Sequence, residues 1–103
     1  MSRRKKIPEH RYRASRICRT LGNPTAYEIL HLLARKKHSP AELAHLLGIS
    51  IPTVSHVLRA FRDLDLVRYE VTWREHTYWL KTPQAGKIMD DLEKLVLAIT
   101  RMQ

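Results

Sequence analysis

Cysteine is nearly missing from this chain: Cys18 is the only one in 103 residues. A lone thiol excludes an internal disulfide framework and suits a reducing cytoplasmic setting. Glycine is scarce as well, and Gly22, Gly48 and Gly86 lie too far apart to form a phosphate-cradling loop. No apolar run approaches the ~20 residues that a membrane span needs, so no membrane partner is expected. The opening MSRRKK has no apolar stretch behind it and does not read as a secretory leader. Neither a Ser-His-Asp grouping nor a facing pair of carboxylates can be read. Asp90 and Asp91 are adjacent and would point to different sectors of a helix. An enzyme is therefore not expected, and no cofactor is implied.

Acids are the remaining shortage. Ten Asp and Glu stand against nineteen Lys and Arg, for a formal net charge of +9. The excess is concentrated at the start, where Arg3, Arg4, Lys5, Lys6, Arg11, Arg13, Arg16 and Arg19 are accompanied by Glu9 alone. A basic chain favours a polyanionic partner, because neutralising phosphates releases their counterions. Residues 1–8 read as a flexible basic arm ending at Pro8, with Arg3, Arg4, Lys5 and Lys6 as DNA contacts. The arm could track a minor groove or the phosphate backbone, or be a solvated tail. Residues 9–103 read as one domain. A hydrophobic content of 44% is sufficient for a core.

Several helix starts are legible. Ser15 to Leu21 belongs to a first helix, with Tyr12, Ile17 and Leu21 as apolar contacts. Asn23 followed by Pro24 gives an N-cap and a proline at the first helical position, and Ile29, Leu30, Leu32 and Leu33 form a buried stripe. "SPAE", Ser39 to Glu42, carries the elements of a capping box, and the helix it opens buries Leu43, Leu46 and Leu47. Gly48 ends that helix and Ser50 caps the next, leaving the short "GIS" turn of a helix-turn-helix. Val67–Val71 and His76–Lys81 read as antiparallel strands joined by a glycine-free tip, Thr72 to Glu75. Asp65 suits a left-handed position between helix and strand. Thr82 and Pro83 open a last helix to about Thr100, with Ala85, Ile88, Met89, Leu92, Leu95, Val96 and Ile99 near heptad spacing. The fold class is mainly α with a small antiparallel hairpin, a winged helix-turn-helix in the order α-α-α-α-β-β-α.

That order assigns roles. The helix after the turn, "ISIPTVSHVLRAFRDLDL", has an outer face of Pro52, His56, Arg59 and Asp63 flanked by Thr53 and Ser55. Short polar side chains let a backbone approach base edges, and Arg pairs well with guanine. Ser50, Thr53, Ser55, His56 and Arg59 are the recognition-helix candidates, against a merely solvated face. Arg68, Arg74 and Lys81 are the wing candidates. Ile17, Ile88, Leu92, Leu95, Val96 and Ile99 are candidates for the interface of a homodimer, against packing within one chain.

"LGNPTAYEILHLL", "SPAELAHLLGISIPTVSHVLRAFRDLDLVRYE" and "TYWL" resemble the ArsR/SmtB family of winged-helix transcription repressors across Leu21 to Leu80. The resemblance implies a homodimeric repressor on a palindromic operator of double-stranded DNA. In many members a metal ion or thiol oxidation releases the DNA. The sensing residues do not carry over. Ser39 and Ala41 stand where metalloid-binding members place cysteines, and Thr82, Gln84, Leu95 and Ala98 where zinc-sensing members place their ligands. No metal site is therefore expected. Three departures fall in the DNA-binding unit: Ile51 for a frequent polar reader, Val57 for a frequent second histidine, and Trp73 for the usual wing-tip glycine.

Cys18, between Arg16 and Arg19, is a candidate redox sensor through a bridge between subunits, against an inert thiol. His31, His38 and His45 lie seven apart, but the proline-capped break separates them, and His38 and His45 read as surface residues. No effector is named by any motif. Two alternatives remain beside the sequence-specific regulator: a winged-helix adaptor between proteins in a transcription or RNA-processing assembly, and a non-specific architectural DNA-binding protein.

Overall fold

Helix α1 spans Glu9–Leu21, α2 Pro24–Arg35, α3 Pro40–Leu47 and α4 Ile51–Asp63; strands β1 (Val67–Thr72) and β2 (Glu75–Leu80) follow, then α5 (Gln84–Arg101). This order, seen in a computed structural model that describes residues 6–102, is that of a winged helix-turn-helix. Arg3, Arg4 and Lys5 lie outside the described residues.

The caps act as their chemistry dictates. Asn23 Oδ1 accepts the Ala26 amide at 2.9 Å. At α3 the reciprocal pair is complete: Ser39 Oγ accepts from the Glu42 amide at 3.1 Å, and Glu42 Oε1 accepts from the Ser39 amide at 2.9 Å. The Ser39 amide, ahead of nearby His38, holds the Glu42 carboxyl below its ordinary value. Gly48 then takes the left-handed conformation, φ 67°, and its amide returns to Ala44 and His45.

The core forms where α2, α3, α4 and the hairpin base converge. It holds Ala26, Ile29, Leu30, Leu33, Leu43, Ala44, Val54, Leu58, Phe61, Val67 and Tyr78, with Met89 from α5 and the partly buried Ala85 packed against it. Antiparallel pairing of the strands runs from Val67↔Leu80 to Thr72↔Glu75. His38 joins this sheet edge: its amide donates to Tyr78 O at 3.1 Å and the Tyr78 amide donates back at 2.8 Å.

Some expectations are corrected. Helix α1 contains the expected Ser15–Leu21 stretch and extends back to Glu9, directly after Pro8, whose carbonyl accepts from the Arg11 and Tyr12 amides. The helix buries no residue, so its first half carries no apolar period to read. Leu46 is not core: it is 56% exposed. At 100° per residue, it sits about 110° from the middle of the arc buried by Leu43 and Ala44. His38 is buried and not a surface residue, because the bridge to Tyr78 draws it in. Thr82 caps nothing; α5 starts at Gln84, with Pro83 as its uncapped first boundary. The hairpin tip is one residue tighter on each side than expected, a two-residue loop of Trp73 and Arg74.

Helix α5 touches the body near its start. Met89 is buried, and the Tyr27 hydroxyl donates to Glu93 Oε2 at 2.7 Å and lies 3.2 Å from Met89 O. Burial first, then the Glu93 hydrogen bond and charge, push the Tyr27 phenol from its ordinary value of 10 up to about 12. The fold thus favours the neutral phenol. Its contribution is whole below pH 10 and is lost as pH rises towards about 12. Urea unfolding at pH 9 and 11 should show wild type losing more stability over that interval than Tyr27→Phe. Equal losses would contradict this coupling of α2 to α5.

Beyond the Tyr27–Glu93 hydrogen bond, α5 is exposed along its length. The radius of gyration is 15.8 Å, against about 13 Å for a compact domain of 100 residues. Ile88, Leu92, Leu95, Val96 and Ile99 are 42% to 60% exposed, on one stripe of α5.

Candidate nucleic-acid interface

Helices α3 and α4 meet at a bend of 118° across the Gly48–Ser50 turn. This is the geometry of a helix-turn-helix, whose second helix is the one free to enter a groove. The α4 start is built by its cap. Ser50 Oγ accepts the Thr53 amide at 3.2 Å, and the two hydroxyls hydrogen-bond to each other at 2.8 Å. Val54, Leu58 and Phe61 anchor the opposite side in the core. That anchoring turns Thr53, His56 and Arg59 outward; all are exposed, Ser55 is half-buried, and Ser50 is exposed at the cap.

One set of neighbours was not legible in the sequence. A groove of about 430 Å³ separates α4 from the α1–α2 junction, and Arg19, Thr20 and Thr25 line it with Thr53 and His56. In the sequence Arg19 belongs to the basic excess and no motif singles out Thr25. Only the packing of α2 beside α4 makes them part of one face. Further along, Arg13 and Arg16 border a cleft with Asp63 at the end of α4.

The wing stands beside α4. Arg62 lies over the Tyr69 ring at 4.5 Å, and Tyr69, His76 and Tyr78 stack along one face of the hairpin. On the other face Lys37 lies over Trp79 at 4.6 Å. Arg68 and Arg74 are exposed. Lys81 is differently placed: its ammonium pairs with Asp65, and that contact is the first cause holding the Asp65 carboxyl below its ordinary value. Asp65 adopts the expected left-handed backbone, φ 61°. Lys81, one of the wing candidates, therefore also ties the hairpin base to the end of α4.

Lys6 is exposed just ahead of α1. Ile17 is half-buried and Cys18 exposed on α1. Among the described residues no three His, Cys, Asp or Glu side chains cluster as metal ligands. Among them also, no single helix is long and apolar enough to cross a membrane.

Residues 23–69, which hold the helix-turn-helix and the first wing residues, match the profile of the family described as "Bacterial regulatory protein, arsR family". The match spans 47 of the 103 residues, so the likeness belongs to this segment. No curated protein matches the chain. Solved structures similar to it extend the likeness beyond that segment. HlyU from Vibrio cholerae is 21% identical with a TM-score of 0.77, over 86% of this chain and 97% of that one. NolR from Sinorhizobium fredii is 22% identical with a TM-score of 0.77, over 90% and 96%. A homodimeric winged helix-turn-helix DNA-binding domain, Mb0332 from Mycobacterium bovis, is 17% identical with a TM-score of 0.82, over 100% and 96%. At these identities the shared property is the fold.

Proposed function

We propose that the protein is a homodimeric transcription repressor that reads a palindromic operator in double-stranded DNA. The observation that carries this reading is the α4 surface: a core-anchored helix in the segment that matches the arsR-family profile, with Thr53, His56 and Arg59 exposed together. Thr53, Ser55, His56 and Arg59 contact base edges, and Ser50 and the wing cations Arg68 and Arg74 hold phosphates. Arg19 and Thr25, across the groove from α4, add phosphate contacts. The arm, residues 1–8, contributes affinity that falls with salt. The exposed α5 stripe, with Ile17 of α1, forms the subunit interface; that a domain of the same fold from M. bovis is homodimeric supports a dimer. A two-fold axis then sets the two α4 helices ~34 Å apart, one DNA turn.

Arg59→Ala is expected to lower discrimination between operator and random duplex by about 1–3 kcal/mol per half-site. Arg74→Ala should instead weaken both duplexes alike and reduce the salt slope by about 1. Competition binding over a salt series separates the two effects. Equal losses on both duplexes for both variants would remove Arg59 from base reading.

A further inference from the structure

The wing tip is built against the usual preferences of such a turn. Thr72↔Glu75 closes the hairpin, leaving Trp73 and Arg74 as a two-residue loop with φ values of 54° and 72°. A loop with both central residues left-handed favours Asn-Gly or Gly-Gly, because a Cβ is strained there. Here the positions hold an indole and a guanidinium. The indole is 95% exposed, so it buries nothing against its own chain. Neither turn chemistry nor packing accounts for a tryptophan at this exposed tip.

The placement says what would use it. Three residue pairs separate the tip from the buried Tyr78, four steps or roughly 14 Å at ~3.4 Å per residue. The loop is thus held clear of the body by a short, ring-stacked hairpin that lies beside α4. Arg74 shares the loop, and the whole chain carries +9. A flat apolar ring next to a guanidinium fits a base step flanked by phosphates. It fits an uncharged protein surface less well.

We propose that Trp73 is a wedge that enters the minor groove and partly unstacks a base step, with Arg74 on the adjoining phosphates. The inference rests on the DNA-binding reading above and adds a specificity element to it. Apolar wedges of this kind kink the duplex towards the major groove. Pyrimidine–purine steps unstack most easily, so the wedge favours TA or CA steps, whereas A-tracts resist it. In a dimer the two tips would select such steps on both flanks of the site, outside the bases that α4 touches.

The test uses the full chain and two 40-base-pair probes: an alternating A·T duplex, rich in TA steps, and an oligo(dA)·oligo(dT) duplex. In a Trp79→Phe protein the remaining emission is that of Trp73. It should be quenched on the alternating duplex and hardly changed on the A-tract. Should Trp79→Phe misfold, the difference between wild type and Trp73→Phe isolates the same signal. Trp73→Gly should bind the alternating duplex about five- to a hundred-fold more weakly, and the A-tract within a factor of about two. Its melting temperature should rise, because glycine relaxes the left-handed position. Unchanged Trp73 emission on bound duplex, wild-type affinity in Trp73→Gly, or a lowered melting temperature would each overturn the wedge while leaving DNA binding intact. Absence of binding to either duplex at about 50 mM salt, where phosphate contacts are strong, would overturn the wedge and the DNA-binding reading together.

Discussion

Leu95→Glu is expected to give a folded monomer that binds DNA at least about a hundred-fold more weakly than wild type. Leu95 is 54% exposed and lies outside the core, so the substitution removes little that holds one subunit together. It sits mid-stripe, with Ile88 and Leu92 on one side and Val96 and Ile99 on the other. If that stripe is the two-fold interface, two carboxylates enter an apolar seam in each dimer. Burying an unpaired charge costs several kcal/mol per ion, and each ~1.4 kcal/mol is tenfold in the dimer constant. A monomer reaches one half-site and loses the linkage between two, which is worth about 10²–10⁴ in affinity. Sedimentation with a parallel DNA titration reads both effects. A Leu95→Glu protein that remained dimeric would show that α5 is not the interface.

Phe61→Ala is the largest expected loss of stability, about 3–5 kcal/mol. Phe61 is fully buried and is the last core residue of α4, and its carbonyl accepts from the Leu66 amide at 2.9 Å where the chain turns into β1. It therefore supports the recognition helix and the base of the wing at once. The cavity is large relative to a net stability of about 5–15 kcal/mol. The denaturant midpoint should fall with the slope nearly unchanged, and DNA binding should weaken in step with the folded fraction. A loss under about 1 kcal/mol would mean that the hairpin and α4 repack easily around the gap.

The parts of this fold that can be read from the chain are those set by local chemistry. Asn23, the Ser39–Glu42 pair, Gly48 and Ser50 each satisfy backbone groups within a few residues, so their spacing announces α2, α3, the turn and α4. Asp65 at the end of α4 belongs with them. What stayed hidden depends on distant partners or on missing signal. The first half of α1 buries no side chain, so no apolar period marks its start. His38 is buried by Tyr78, forty residues away. Lys81 looks like any wing cation until Asp65 is placed beside it. The nearness of Arg19 and Thr25 to Thr53 follows from how α2 packs against α4, and no motif encodes it. For the candidate interface residues the position is reversed. The apolar stripe on α5 is plain in the sequence, and the fold shows that the chain's own core leaves it uncovered.

The central claim, that two copies of α4 read one symmetric DNA site, is tested most directly by letting the purified full chain select fragments from genomic DNA. The account predicts enrichment of a single inverted repeat with half-site centres about 10 base pairs apart. Recovery of no fragment, or of all fragments alike, would contradict it.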